Sequence, residues 1–245
     1  MGTGFVHDGT GTTPHQRRLA FVKKPTPKAT VDRLNFWRST SRNIDGLTVG
    51  TTESRPHPAL RRVEEALRLI KRHDALHYSR VMHNLERIWV HLLPNALACY
   101  DASLKACIFD ERFVLLETTT LERIASTIVH EASHAKLERL GINYDRTKRA
   151  RIEAVCLRRE LNFVAKLPCS EPLRDDIART LEWCGTDHDY FSDASFQQRD
   201  HQGNVETLRY LGIPEWVIRF TFRTLQIVFA VRRLIGRLAG LPPQT

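Results

Sequence analysis

The sequence predicts an α+β fold that is mainly helical, with a small antiparallel sheet over one central helix and a wholly helical C-terminal part. Three observations predict it. Short β-rich runs lie at 88–93, 96–100 and 106–116, separated by the turn residues Pro94-Asn95 and Asp101-Ala102-Ser103. The stretch from Leu121 carries apolar residues at helical spacing, and beyond Pro168 the same spacing recurs to the end of the chain. With 42% hydrophobic residues among 245, the chain can bury one sizeable core.

Taken in order, residues 1–57 read as a flexible basic segment. They are rich in Gly, Thr, Pro, Lys and Arg, with few periodic apolar positions and one possible ordered piece around 34–37. A single domain is expected over 58–245, with a helical extension from about 170. A helix over 58–77 turns Leu60, Val63, Ala66, Leu67 and Ile70 inward and can continue to Leu85 past a break. The three β-rich runs then read as a meander. Thr119-Thr120-Leu121-Glu122 reads as a capping box for the next helix, Ile124, Ala125, Ile128 and Val129 form its apolar stripe, and Gly141 stops it. After a turn at 141–146, a second long helix runs over 147–167 to Pro168. Further helices are predicted at 172–184, within 192–211, and at 214–238.

The chemistry centres on His130-Glu131-Ala132-Ser133-His134. On a helix, residues four apart share a face, so both imidazoles can reach one metal ion. Glu131 is placed to reach a water held by that metal rather than the metal itself, as a general base requires. A catalytic zinc ion takes three protein ligands and leaves one position open. Glu138 lies further along the same straight helix and diverges from the histidines, so the third ligand must come from the second helix. Glu153, in its first turns, is the expected ligand; Glu160 and the loop residue Asp145 are the alternatives. Cys156 is three residues from Glu153, but a buried cysteine acting as a small hydrophobe is the ordinary case, and it is not counted as a ligand.

Over residues 104–168 the chain resembles the zincin metallopeptidases, and within them the gluzincins, in which H-E-x-x-H is followed by a glutamate on a later helix. Glu153 lies 19 positions after His134, while Leu137 and Leu140 stand where a metzincin has glycine and histidine. The run from Glu160 to Pro168 is loosely similar to the ligand helix of ImmA/IrrE-type metallopeptidases. The resemblance implies a Zn2+-dependent peptidase with His130, His134 and Glu153 as ligands and Glu131 as base. It also implies a sheet edge that pairs with an extended peptide and a Tyr or His at the oxyanion, for which Tyr190, His188 and His201 are candidates.

The alternative is a non-catalytic basic module that keeps the helix and binds nucleic acid or an anionic membrane surface. Thirty-seven Lys and Arg against 28 Asp and Glu give a charge of +9, with Arg146, Lys148, Arg149, Arg151, Arg158 and Arg159 clustered around the second helix. Nucleic acid is not the expected partner, since no helix-turn-helix, zinc-finger or RNP signature accompanies that charge. Residues 214–238 are apolar but interrupted by five arginines, too many for a membrane span. Core packing or a partner helix is expected there, with an anionic membrane surface as second choice. Five cysteines without C-x-x-C spacing and without a signal peptide read as free thiols in the cytoplasm.

Overall fold

The computed structural model describes residues 40–53, 57–94, 96–145, 147–186 and 189–224. The readings of residues 1–39, including the piece at 34–37, and of the last helix beyond 224 lie outside these. The fold is α+β, with a five-stranded sheet on which the helices pack.

The chain enters the sheet earlier than its composition suggests. Strands β1 (Thr40–Ile44) and β2 (Leu47–Thr51) form an antiparallel hairpin, so the segment 1–57 is not without regular structure throughout. The turn between them is Asp45-Gly46, both at positive φ (51° and 96°), with the Asn43 side chain accepting from the Gly46 N–H at 2.9 Å. Two consecutive left-handed residues suit the twist of a tight hairpin, and Asp-Gly is a preferred pair for them. Helix α1 (Pro58–His73) and helix α2 (Ala75–Asn84) follow. The break falls at Asp74, before the predicted end at 77. Its φ of −151° is not helical, and its carboxylate caps α2 by accepting from the His77 N–H.

The sheet is mixed, and the antiparallel meander is corrected. Strand β3 (Arg87–His91) pairs in parallel with β2 across the α1–α2 crossover, and in parallel with β5 (Ala106–Asp110) on its other side. Strand β4 (Ala98–Asp101) runs antiparallel to β5 at the edge, giving the order β1-β2-β3-β5-β4. All five residues of β5 are buried and so are the middle three of β3, whereas β4 is half-buried throughout. Strands covered on both faces lose the apolar–polar alternation, and such runs belong in the middle of a parallel arrangement. The predicted run 106–116 also ends early. Asp110 caps helix α3 (Glu111–Leu115) by accepting from the Arg112 N–H, turning the chain out of the sheet.

Helix α4 (Leu121–Arg139) carries the H-E-x-x-H run. Its N-cap is Thr120, whose hydroxyl accepts from the Arg123 N–H at 3.2 Å. Glu122 is therefore one position too early for the reciprocal bond of a capping box. At the other end Gly141 (φ 77°) donates to the Glu138 carbonyl and Ile142 to that of Leu137. Those two bonds make a Schellman close, which needs the left-handed residue that glycine adopts without strain. One sheet face, through Val49, Ile88, Val90, Cys107 and Phe109, shares a core with Val63, Leu67 and Ile70 of α1 and Ile124, Ile128 and Val129 of α4. Helices α5 (Arg149–Val164), α6 (Glu171–Gly185) and α7 (Asp193–Tyr210) complete the order, with another helix beginning at 215. No helix among the described residues is long and apolar enough to cross a membrane.

Asp74 ties distant parts together. Its carboxylate meets His77 Nδ1 at 2.5 Å and Lys166 Nζ, just beyond α5, at 2.7 Å. Burial alone would raise its pKa, but Lys166 and the bonds from His77 outweigh that and hold it at about 2 against an ordinary 3.8. A depressed folded-state value stabilises the fold above the unfolded-state value, and this contribution is lost as pH falls through the folded one. Denaturant unfolding should accordingly lose roughly 2 kcal/mol from this group between about pH 4 and pH 2. In Asp74→Asn that part of the acid dependence should be gone, with lower stability already at neutral pH.

Candidate metal centre

Helices α4 and α5 pack side by side and antiparallel, so that His130 meets Glu160 and Glu153 while His134 meets Glu153. The spacings explain the match. His130 and His134 lie four apart on α4, and Glu153, Cys156 and Glu160 fall at i, i+3 and i+7 on α5, one stripe facing another.

At the centre, His130 Nε2 and His134 Nε2 are 3.1 Å apart. Glu153 places Oε2 at 3.1 Å from the first and Oε1 at 3.6 Å from the second. Zinc bonded tetrahedrally at about 2.05 Å would hold its ligand atoms about 3.3 Å apart. The observed separations already bracket that edge length. On the far side of the ring, His130 Nδ1 is 2.9 Å from Glu160 Oε2. A carboxylate there fixes the proton on Nδ1 and presents the Nε2 lone pair to the other atoms. Cys156 also offers its sulfur, within 4.8 Å of ligand atoms of both histidines. Both imidazoles, at 14% side-chain exposure, and Glu153, at 18%, keep an opening to solvent.

The electrostatics follow from three carboxylates and two imidazoles packed together. Burial opposes charge on His130, but hydrogen bonds to Glu153 and Glu160 outweigh it and hold its protonation well above the ordinary range. Burial likewise opposes charge on Glu153, yet the bonds from His130 and His134 keep it ionised far below its usual value. Glu131, buried on the same helix, moves the other way. Desolvation raises its pKa, and the nearby histidines only partly counter the rise.

Of the alternatives, Asp145 does not join the centre. Its carboxylate closes the turn before α5, accepting from the Lys148 N–H at 3.0 Å and the Thr147 hydroxyl at 2.7 Å. Among the residues considered for an oxyanion, Tyr190 packs against Trp183 and Phe191, and His201 against Phe222. His188 lies outside the described residues. The phenol that does reach the centre is Tyr144, edge-on to His134 at 5.6 Å between ring centroids, its pKa raised by burial and by the nearby Glu153 charge. Its loop position carries no periodic signal, and sequence reasoning passed over it. Cys156 had a signal, its place in the i, i+3, i+7 stripe. Arg149, read as part of a basic cluster, is buried, bonding the Phe191 carbonyl and Asp193 and covering the Phe196 ring.

Comparison of the chain with protein-family models, curated proteins and solved structures returns no match.

Metal analysis should find about one divalent ion per chain, and His130→Ala or His134→Ala should each remove it, since each deletes a donor atom. Glu160→Gln should weaken the affinity by about 10- to 100-fold rather than abolish it, as expected for a partner behind a ligand. Glu153→Ala should lose more. A chelator titration across the variants gives the ranking.

Proposed function

We propose that the protein is a zinc-dependent peptidase, with His130, His134 and Glu153 holding the ion and Glu131 acting as base. The observation that carries this reading is the convergence of two Nε2 atoms and a carboxylate at near-tetrahedral separations, beside a buried glutamate on the same helix. A bound Zn2+ supplies Lewis acidity, lowering the pKa of water and countering negative charge on a carbonyl oxygen.

The chain's own residues do the rest. Glu153 and Glu160 flank His130 and orient its ring between them. Glu131, with its pKa raised by burial, takes a proton from water on a carboxylate oxygen and returns it to the departing amine nitrogen. A base of ordinary carboxylate strength would do the first step poorly at neutral pH. Tyr144, edge-on to His134, would offer its phenol O–H to the developing oxyanion.

Strand β4 supports a peptide as substrate. It pairs with β5 on one side, and no described strand takes its other side. It packs against α4, where burial and the charge of Glu138, one turn beyond His134, raise the Tyr100 pKa. An extended peptide added to that edge would run alongside the histidine helix and be held by backbone groups, which tolerates many sequences. The rival reading of a basic binding module keeps the exposed Lys148, Arg151 and Arg158 but loses Arg149, which is committed to internal bonds.

Glu131→Gln decides the assignment of the base. It should keep the metal and the fold while peptide hydrolysis falls by several orders of magnitude, because the amide cannot accept the proton. Hydrolysis of a peptide library at the unaltered rate would remove Glu131 from the mechanism.

A further inference from the structure

Cys156 is fully buried on α5, one turn after Glu153 and one turn before Glu160. On one side it touches a small apolar cluster with Leu137 and Ile152. On the other its sulfur lies within 4.8 Å of the ligand atoms of His130 and His134, and these three residues form a group able to hold one ion. A side chain needed only to fill space would serve as well without sulfur. Here a soft donor lies within reach of the same two imidazoles that meet Glu153.

We infer that Cys156 is a further protein ligand, so that the resting centre holds two nitrogens, one oxygen and one thiolate sulfur, and the water that Glu131 deprotonates enters as a fifth ligand. The inference rests on the metal-centre reading above and adds a donor to it. Tetrahedral ligation with a metal–sulfur bond of about 2.3 Å places sulfur about 3.6 Å from each nitrogen, so the helices need close by no more than about 1 Å. The thiol proton leaves to solvent as the metal–sulfur bond forms, and nothing is oxidised or reduced. Burial and the neighbouring carboxylates disfavour a thiolate in the metal-free protein. A divalent ion reverses that preference, since a coordinating thiol is deprotonated outright.

The test is X-ray absorption at the zinc edge of the full-length, zinc-loaded protein, together with cobalt substitution and optical spectroscopy. One sulfur scatterer at about 2.3 Å and a thiolate-to-cobalt charge-transfer band are expected. Both should vanish in Cys156→Ser and Cys156→Ala and persist in Cys184→Ser, whose thiol is the other one near Glu153. Because the unaltered protein carries the first measurement, a variant that fails to fold leaves the answer intact. Stoichiometric zinc with only nitrogen and oxygen neighbours would overturn the inference and leave the His130–His134–Glu153 centre standing. A sulfur signal that survives in both Cys156 variants would overturn it as well. Absence of bound zinc or cobalt, unchanged by His130→Ala, would overturn the centre itself.

Discussion

Three buried or half-buried carboxylates within reach of two imidazoles are the constraint on which the rest of this structure turns. Glu131, Glu153 and Glu160 cannot all be charged in a weakly polarisable surrounding without positive charge among them. In the metal-free protein a proton on His130 supplies part of it, which is why that imidazole is held protonated so strongly. The proton is a weak substitute. A divalent ion would bring twice the charge to the same point and separate the two Nε2 atoms that now face each other, so proton and metal would compete for one place.

The fold serves this cluster by leaving α4 only one face for it. Sheet, α1 and α2 take up the other faces of α4, burying Ile124, Ile128 and Val129, and β4 runs along it. The remaining stripe, with His130 and His134, is met by α5. Solvent reaches the imidazoles and Glu153 while Glu131 and Glu160 stay buried, so a wet side and a dry side of the cluster lie close together on the two helices.

Helix α4 was legible because several levels of sequence agree there: an apolar stripe, a histidine pair on one face and a glycine where the left-handed close occurs. That a helix folding back over a short turn brings Glu153 to His134 was legible as well, whereas Glu160 stood only as an alternative ligand and its bond to His130 Nδ1 was not read. The sheet was not. Whether β3 lies beside β4 or β5 depends on partners far apart in sequence, and strands buried on both faces show no alternation to set them in order. The hairpin at Thr40–Thr51 hid behind polar residues on its exposed strand, although Asp45-Gly46 marked its turn. Cys156 was set aside because a single residue type reports burial habit, whereas its role follows from which face of α5 it shares.

Helix α5 is fastened at both ends: Arg149 at its start bonds Asp193 and the Phe191 carbonyl, and Lys166 just beyond its end is held by the buried carboxylate of Asp74. Seventeen residue steps separate those anchors, about 25 Å of axis. Two attachments so far apart fix how the helix is rolled about its own axis. With each residue stepping 100° around a helix, a roll of a fifth of that would swing a glutamate oxygen by roughly 2 Å and spoil its alignment with an imidazole. The geometry of the centre is thus set from outside it, by an arginine and a lysine that touch none of its atoms.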